Sequence, residues 1–120
     1  TLNGPLFSVS PLALRQKLSY LWENKRTVTE LVTKDFGTVI CMEIGATCVG
    51  SIHQTFIPGQ EVAKGAEKGY FAFGGSSTLL LFEPNSVTLT NDLLESSRRM
   101  IELYAKVGTK AGDQLEGDTQ

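Results

Sequence analysis

A mainly β fold, built of short strands turned by glycines with a few short helices, is what the sequence predicts. Three observations predict it. Short runs rich in β-branched residues recur, as in RTVTELVT, TVICMEIG and SVTLT. Glycines punctuate them, with Gly59, Gly65 and Gly69 spaced so closely that the chain between strands must turn sharply. Helical spacing is confined to two stretches, one near each end. With 120 residues, 41% of them apolar, the chain suits one globular domain or a piece of one. We read residues 1–112 as that unit and 113–120 as a polar tail, with no internal repeat.

The elements follow in order. TLNGPLFSVSP mixes turn residues with the alternating run Leu6–Val9, which suits a turn and a brief strand. In PLALRQKLSYLWENKR, Pro11 stands at a plausible first helical position, and Leu12, Leu14, Leu18, Leu21 and Trp22 fall near helical spacing. One or two short helices are expected there. RTVTELVT and TVICMEIG flank Lys34-Asp35-Phe36-Gly37 and predict a β-hairpin. ATCVGSIHQTF continues as a strand with Gly50 as a bulge. TLLLF is a near-continuous apolar run, expected to be a strand buried on both faces, with Leu79–Phe82 each contributing roughly 1.5–3 kcal/mol. EPN is a turn and SVTLT a short strand. In NDLLESSRRMIELYAKVG, Asp92 and Glu95 are placed like a capping box, while Ile101, Leu103, Ala105 and Val107 alternate with polar or bulky neighbours. A short helix over 92–98 followed by a strand reconciles the two patterns.

Composition excludes several classes of function. A formal charge of −2 with no basic block gives no electrostatic case for nucleic acid. The longest apolar run, Leu79–Phe82, is far too short to span a bilayer, and residues 1–9 lack the pattern of a signal peptide. Cys41 and Cys48 have no zinc or redox spacing and read as small buried hydrophobes of a reducing compartment. His53 is the single histidine, so it cannot supply a histidine-rich metal site, and any Ser-His-Asp chemistry would have to pass through that residue alone. The chain opens on Thr1 rather than Met, which reads as processing or a fragment.

Gly74-Gly75-Ser76-Ser77 interrupts the apolar sequence between Tyr70 and Phe82. A serine hydroxyl can attack the carbonyl of the preceding residue through a five-membered ring, converting the amide to an ester. Glycine at that residue leaves the carbonyl open to approach, and local strain lowers the cost of losing the amide. β-Elimination then cuts the chain and leaves dehydroalanine, which hydrolyses to a pyruvoyl group, an electron sink built from the chain itself. The tetrapeptide alone favours a plainer reading, a β-bulge or turn of small residues.

Longer stretches alter that balance. KGAEKGYFAFGGSSTLLLF resembles the processing-site region of the phosphatidylserine decarboxylase family: K-G-x-E-x-G-x-F, a Gly-Ser pair followed by Ser or Thr, then an apolar strand ending in Leu-Phe. GPLFSVSPLAL is similar to the family's G-x-L-F-S-V-N-P, WENKRTV to x-E-N-x-R, and EIGATCVGSI to V-G-A-x-x-V-G-S-I. DLLESSRRMIELYAKVGTKAG is similar to D-L-L-x-N-S-x-x-x-x-E-T-x-V-x-x-G-x-x-x-G. Five motifs in order cover nearly all of residues 2–112.

The resemblance implies a barrel-sandwich-like sheet core with small peripheral helices. It implies self-cleavage between Gly75 and Ser76, with Ser76 becoming the pyruvoyl group that forms a Schiff base with the substrate amine. Ser77 stands where the family has Thr or Ser, as a hydrogen-bonding neighbour. The implied activity is decarboxylation of phosphatidylserine to phosphatidylethanolamine by a self-processing zymogen. The implied partners are the lipid, the upstream β-chain portion of the same precursor and, peripherally, the surface of a cytoplasmic or organellar membrane. The family's upstream Asp and histidine segment would precede Thr1, so the chain reads as the C-terminal part of a larger enzyme that lacks its own processing base. His53 lies outside that segment and reads as an ordinary strand or surface histidine. Glu43 and Glu67 are candidates to orient the substrate amine, although both suit exposed edge or turn positions better. Other readings remain: a pyruvoyl decarboxylase of a soluble amino acid, a biotinyl- or lipoyl-type carrier domain suggested by Val62-Ala63-Lys64-Gly65, and a truncated inactive relative.

Overall fold

The computed structural model describes residues 1–5, 17, 23–46, 51–73 and 76–115. Seven strands and one helix run through them: β1 Arg26–Val32, β2 Thr38–Ile44, β3 Ser51–Gln54, β4 Gly69–Ala72, β5 Ser77–Leu81, β6 Val87–Leu89, α1 Asn91–Arg98 and β7 Gly112–Gln114. Three small sheets result, ordered β1-β2-β5, β3-β4 and β6-β7. The mainly β expectation holds. The brief strand at Leu6–Val9, the helices of 11–22 and the bulge at Gly50 lie outside the described residues.

The predicted hairpin is present. β1 and β2 are neighbours joined by a tight turn in which the Thr33 amide and hydroxyl both donate to the Gly37 carbonyl, at 2.9 and 2.7 Å. Gly37 has φ +68°, a left-handed conformation that a Cβ would strain. β2 is the middle strand of its sheet, and the buried apolar side chains among the described residues all fall on it or just beyond: Val39, Cys41, Ile44 and Ala46.

The chain forms two compact units, residues 1–29 with 40–80 and residues 30–39 with 81–120. In the first, Leu2 bridges Arg26, and the fully buried Asn24 donates from Nδ2 to the Gly45 carbonyl at 2.9 Å. Gly45 in turn donates its amide to the Lys25 carbonyl at 2.7 Å. The Glu-Asn-x-Arg turn is therefore laced to the end of β2 by its side chain and its backbone. β3 and β4 pair antiparallel, with Ile52 opposite Phe71 and Gln54 opposite Gly69.

In the second unit, β6 pairs antiparallel with β7, and Phe36 meets Phe82 edge to face at 6.4 Å. Asn85 takes φ +61° in the turn read from Glu-Pro-Asn.

Several expectations are corrected. β5 is buried on neither face along its length: Leu79 is half-buried, while Leu80, Leu81 and Phe82 are exposed. The helix forms at 91–98, but its N-cap is Thr90 without a side-chain cap, and Asp92 accepts instead from the adjacent Leu93 amide, so no capping box exists. The strand expected directly after it, on the alternation of residues 101–107, does not form, and the next strand is β7. Met100 turns at φ +55°, and Ile101, Leu103 and Val107 stand exposed without a sheet partner. A period-2 pattern without a neighbouring strand has no ladder to join. Asp113 and Gln114, read as tail, instead belong to β7, because their register with Thr88 and Val87 completes a two-stranded sheet.

Candidate functional site

Ser76 sits immediately before β5, and β4 ends at Ala72, so strands flank the candidate scissile bond closely on both sides. The Ser76 Oγ is buried and has no hydrogen-bond partner among the described residues. A buried hydroxyl without a partner is unusual and costs stability, and a chemical role is one reason a fold tolerates it. Phe73 adopts φ +63° with its ring 86% exposed. A left-handed conformation is costly for an aromatic residue, so backbone strain lies just ahead of the Gly-Gly pair. Gly74 and Gly75 lie outside the described residues, and so does the approach of Ser76 to the Gly75 carbonyl.

Beyond Ser76, β5 contributes Thr78 to a cleft of about 220 Å³. Strand alternation builds its walls. On β2, Val39, Cys41 and Glu43 share the buried row, and Cys41 and Glu43 face the cleft. On the β3-β4 pair, Ile52, Gln54, Gly69 and Phe71 share one face, and all four line it. Gly69 fits because a Cβ there would collide with the His53 carbonyl.

The polar floor is a cluster of three side chains. Lys68 Nζ donates to Glu43 Oε1 and, at 2.7 Å, to Gln54 Oε1, and it lies 5.0 Å from the centre of the Phe56 ring. Glu43 is almost wholly buried, which corrects its reading as an exposed edge charge. It occupies the interior row of a central strand, and Lys68 supplies the counter-charge that makes this tolerable. Cys41 is buried beside it. Burial chiefly, and then the Glu43 carboxylate, push its thiol pKa up, against a lowering influence from Lys68. Cys48 lies outside the described residues.

The other candidates stand apart. Glu67 is exposed and accepts from the Thr55 hydroxyl at 2.8 Å. His53 is exposed and stacks on Tyr70 at 4.9 Å, on the face of β3 opposite Ile52 and Gln54. Ser77 is half-buried in β5. Sequence reading missed Lys68 and Gln54. The alternation of Val39, Cys41 and Glu43 was a signal for a buried carboxylate, and hence for a cation to meet it.

Comparison with known proteins places this geometry in context. The family profile of phosphatidylserine decarboxylase matches residues 1–113. The chain is 51% identical over 114 residues to the phosphatidylserine decarboxylase proenzyme of Chlamydia muridarum, covering 95% of this chain and 38% of that protein. It is 54% identical over 110 residues to the protein of the same name from Chlamydia pneumoniae, covering 92% and 36%. The chain thus spans little more than a third of the length of these curated relatives. No solved structure matches it. With a match that runs from Thr1 almost to the end of β7, the chain belongs to the phosphatidylserine decarboxylase family.

Proposed function

We propose that this chain is the part of a phosphatidylserine decarboxylase that carries the scissile bond and the electrophile. In this reading the bond between Gly75 and Ser76 is cut, Ser76 becomes the pyruvoyl group, and the enzyme releases CO₂ from phosphatidylserine to give phosphatidylethanolamine. The observation that carries it is the buried, unpartnered Ser76 hydroxyl directly after the Gly-Gly pair, in a chain of this family.

The residues present fit such a group. Ser76 has its hydroxyl committed to no other contact, and the strained Phe73 precedes it. A pyruvoyl ketone at residue 76 supplies the electron sink needed to lose a carboxylate next to an amine. The chain's own residues do the rest. Pairing of β5 with β2 keeps residue 76 in place once the peptide bond is gone. Ile52 and Phe71 wall the neighbouring cleft with hydrocarbon. The remainder of the precursor supplies the processing base and the contact with a membrane surface, where a lipid substrate resides.

The test is conversion of phosphatidylserine in vesicles by the full-length protein, followed by chromatography of the lipids. Phosphatidylethanolamine from the wild type and none from Ser76→Ala is the expected result. Release of CO₂ from free serine with no lipid product would assign the chain to soluble amino-acid decarboxylation instead. Product from Ser76→Ala would refute the role of Ser76.

A further inference from the structure

On two residues that line the cleft, a polar atom is buried without a hydrogen-bond partner among the described residues. Glu43 is 8% exposed; its Oε1 is engaged by Lys68, and its Oε2 has no partner. Gln54 accepts from Lys68 through Oε1. An ammonium can only donate, so the amide is turned with its NH₂ away from Lys68, and that Nε2 also has no partner. Both residues line the same cleft, and the two buried atoms are one acceptor carrying negative charge and one donor. Groups of this kind are rarely left open in a folded protein unless something else fills them.

We propose that this cleft is the subsite for a head group carrying both a primary ammonium and an oxyanion, with the ammonium on Glu43 Oε2 and the oxyanion on Gln54 Nε2. The proposal deepens the reading of the chain as a phosphatidylserine decarboxylase and rests on it for the identity of the head group. Lys68 is a positioning residue: by donating to both Glu43 and Gln54 it fixes the spacing of the two open atoms. The volume, about 220 Å³, is below the roughly 300–1,000 Å³ of sites that enclose a drug-sized ligand, so a head group enters while acyl chains stay outside. Thr78, on the cleft wall, is two residues from Ser76, about 7 Å along an extended chain.

The experiment measures non-covalent binding in the full-length Ser76→Ala protein, which stays uncut and cannot react with an amine. The probes are glycerophosphoserine and its N-acetyl derivative, titrated calorimetrically. Glycerophosphoserine is expected to bind about 10- to 100-fold more tightly than the N-acetyl form, and Glu43→Gln is expected to abolish that preference. Gln54→Leu, at a half-buried position, should weaken both probes about tenfold and keep the preference. Equal affinity for the two probes would overturn the proposal, as would a preference that survives Glu43→Gln or an affinity indifferent to Gln54→Leu. If Glu43→Gln does not fold, the probe comparison and Gln54→Leu decide alone. Because the readout needs neither cleavage nor turnover, its failure is distinct from failure of the decarboxylase reading, which is judged on lipid product.

Discussion

Lys68 Nζ donates to the buried carboxylate of Glu43, which lies 25 residues earlier in the chain. The contact joins the residue just ahead of β4 to the interior row of β2. Removing one partner of such a pair leaves the other charge buried without compensation, which costs more than the pair contributes.

Lys68→Met is therefore expected to destabilise the protein by about 2–4 kcal/mol, less than a fully enclosed pair because Lys68 is partly exposed. The double variant Glu43→Gln/Lys68→Met should be more stable than Lys68→Met alone. Urea denaturation of the four proteins checks both statements. A double variant that loses the sum of the two single losses would mean that the contact is not an energetic unit.

Cys41 offers a pH-dependent readout of the same cleft. Burial and Glu43 raise its thiol pKa, so on folding the thiolate forms at higher pH than in the unfolded chain. As pH rises past the ordinary thiol range, the unfolded chain loses its proton first and folded stability falls; below that range the contribution is intact. In a Cys48→Ser background, iodoacetamide at pH 8 should alkylate the folded protein at least about tenfold more slowly than the urea-unfolded one. The gap should narrow with rising pH and widen in Lys68→Met, which removes the lowering influence. Equal rates for folded and unfolded protein would contradict the placement of Cys41.

How much of this was legible in the sequence depends on the range of the interaction. The β1-β2 hairpin rests on local turn chemistry at Gly37 and on β-branched runs, and both are visible in the letters. The role proposed for Ser76 comes from the letters, because a Gly-Ser pair has a definite chemistry and the surrounding motifs are specific. Glu43 was misjudged because its charge was weighed without its row: alternation with Val39 and Cys41 places it inside. The strand expected after α1 failed for a related reason. Ile101, Leu103 and Val107 carry the alternation, but a strand also needs a neighbour, and none is present among the described residues. Lys68 and Gln54 were illegible because their partners are distant in sequence and are fixed by the β3-β4 register.

Asn24 ties the Glu-Asn-x-Arg turn to the end of β2. Asn24→Ala removes the donor to the Gly45 carbonyl and leaves that acceptor buried. A loss of about 1–3 kcal/mol is expected, seen as a lower urea midpoint at unchanged slope. A variant as stable as the wild type would show that this turn does not anchor the strand.

His53 lies on the opposite face of β3 from the cleft and contributes stacking on Tyr70. His53→Ala should cost no more than about 1 kcal/mol and leave chain scission unaffected in the full-length protein. Loss of scission with an unchanged circular dichroism spectrum would make His53 part of the processing machinery.

The central claim is that the chain is built to break before Ser76. Intact mass of the purified full-length protein tests it most directly. Two chains are expected, the larger ending at Gly75 and the smaller beginning with a pyruvoyl group that is blocked to Edman degradation and reactive toward hydrazine, with Ser76→Ala giving a single chain. A single uncut chain from the active wild-type protein, or two chains from Ser76→Ala, would contradict it.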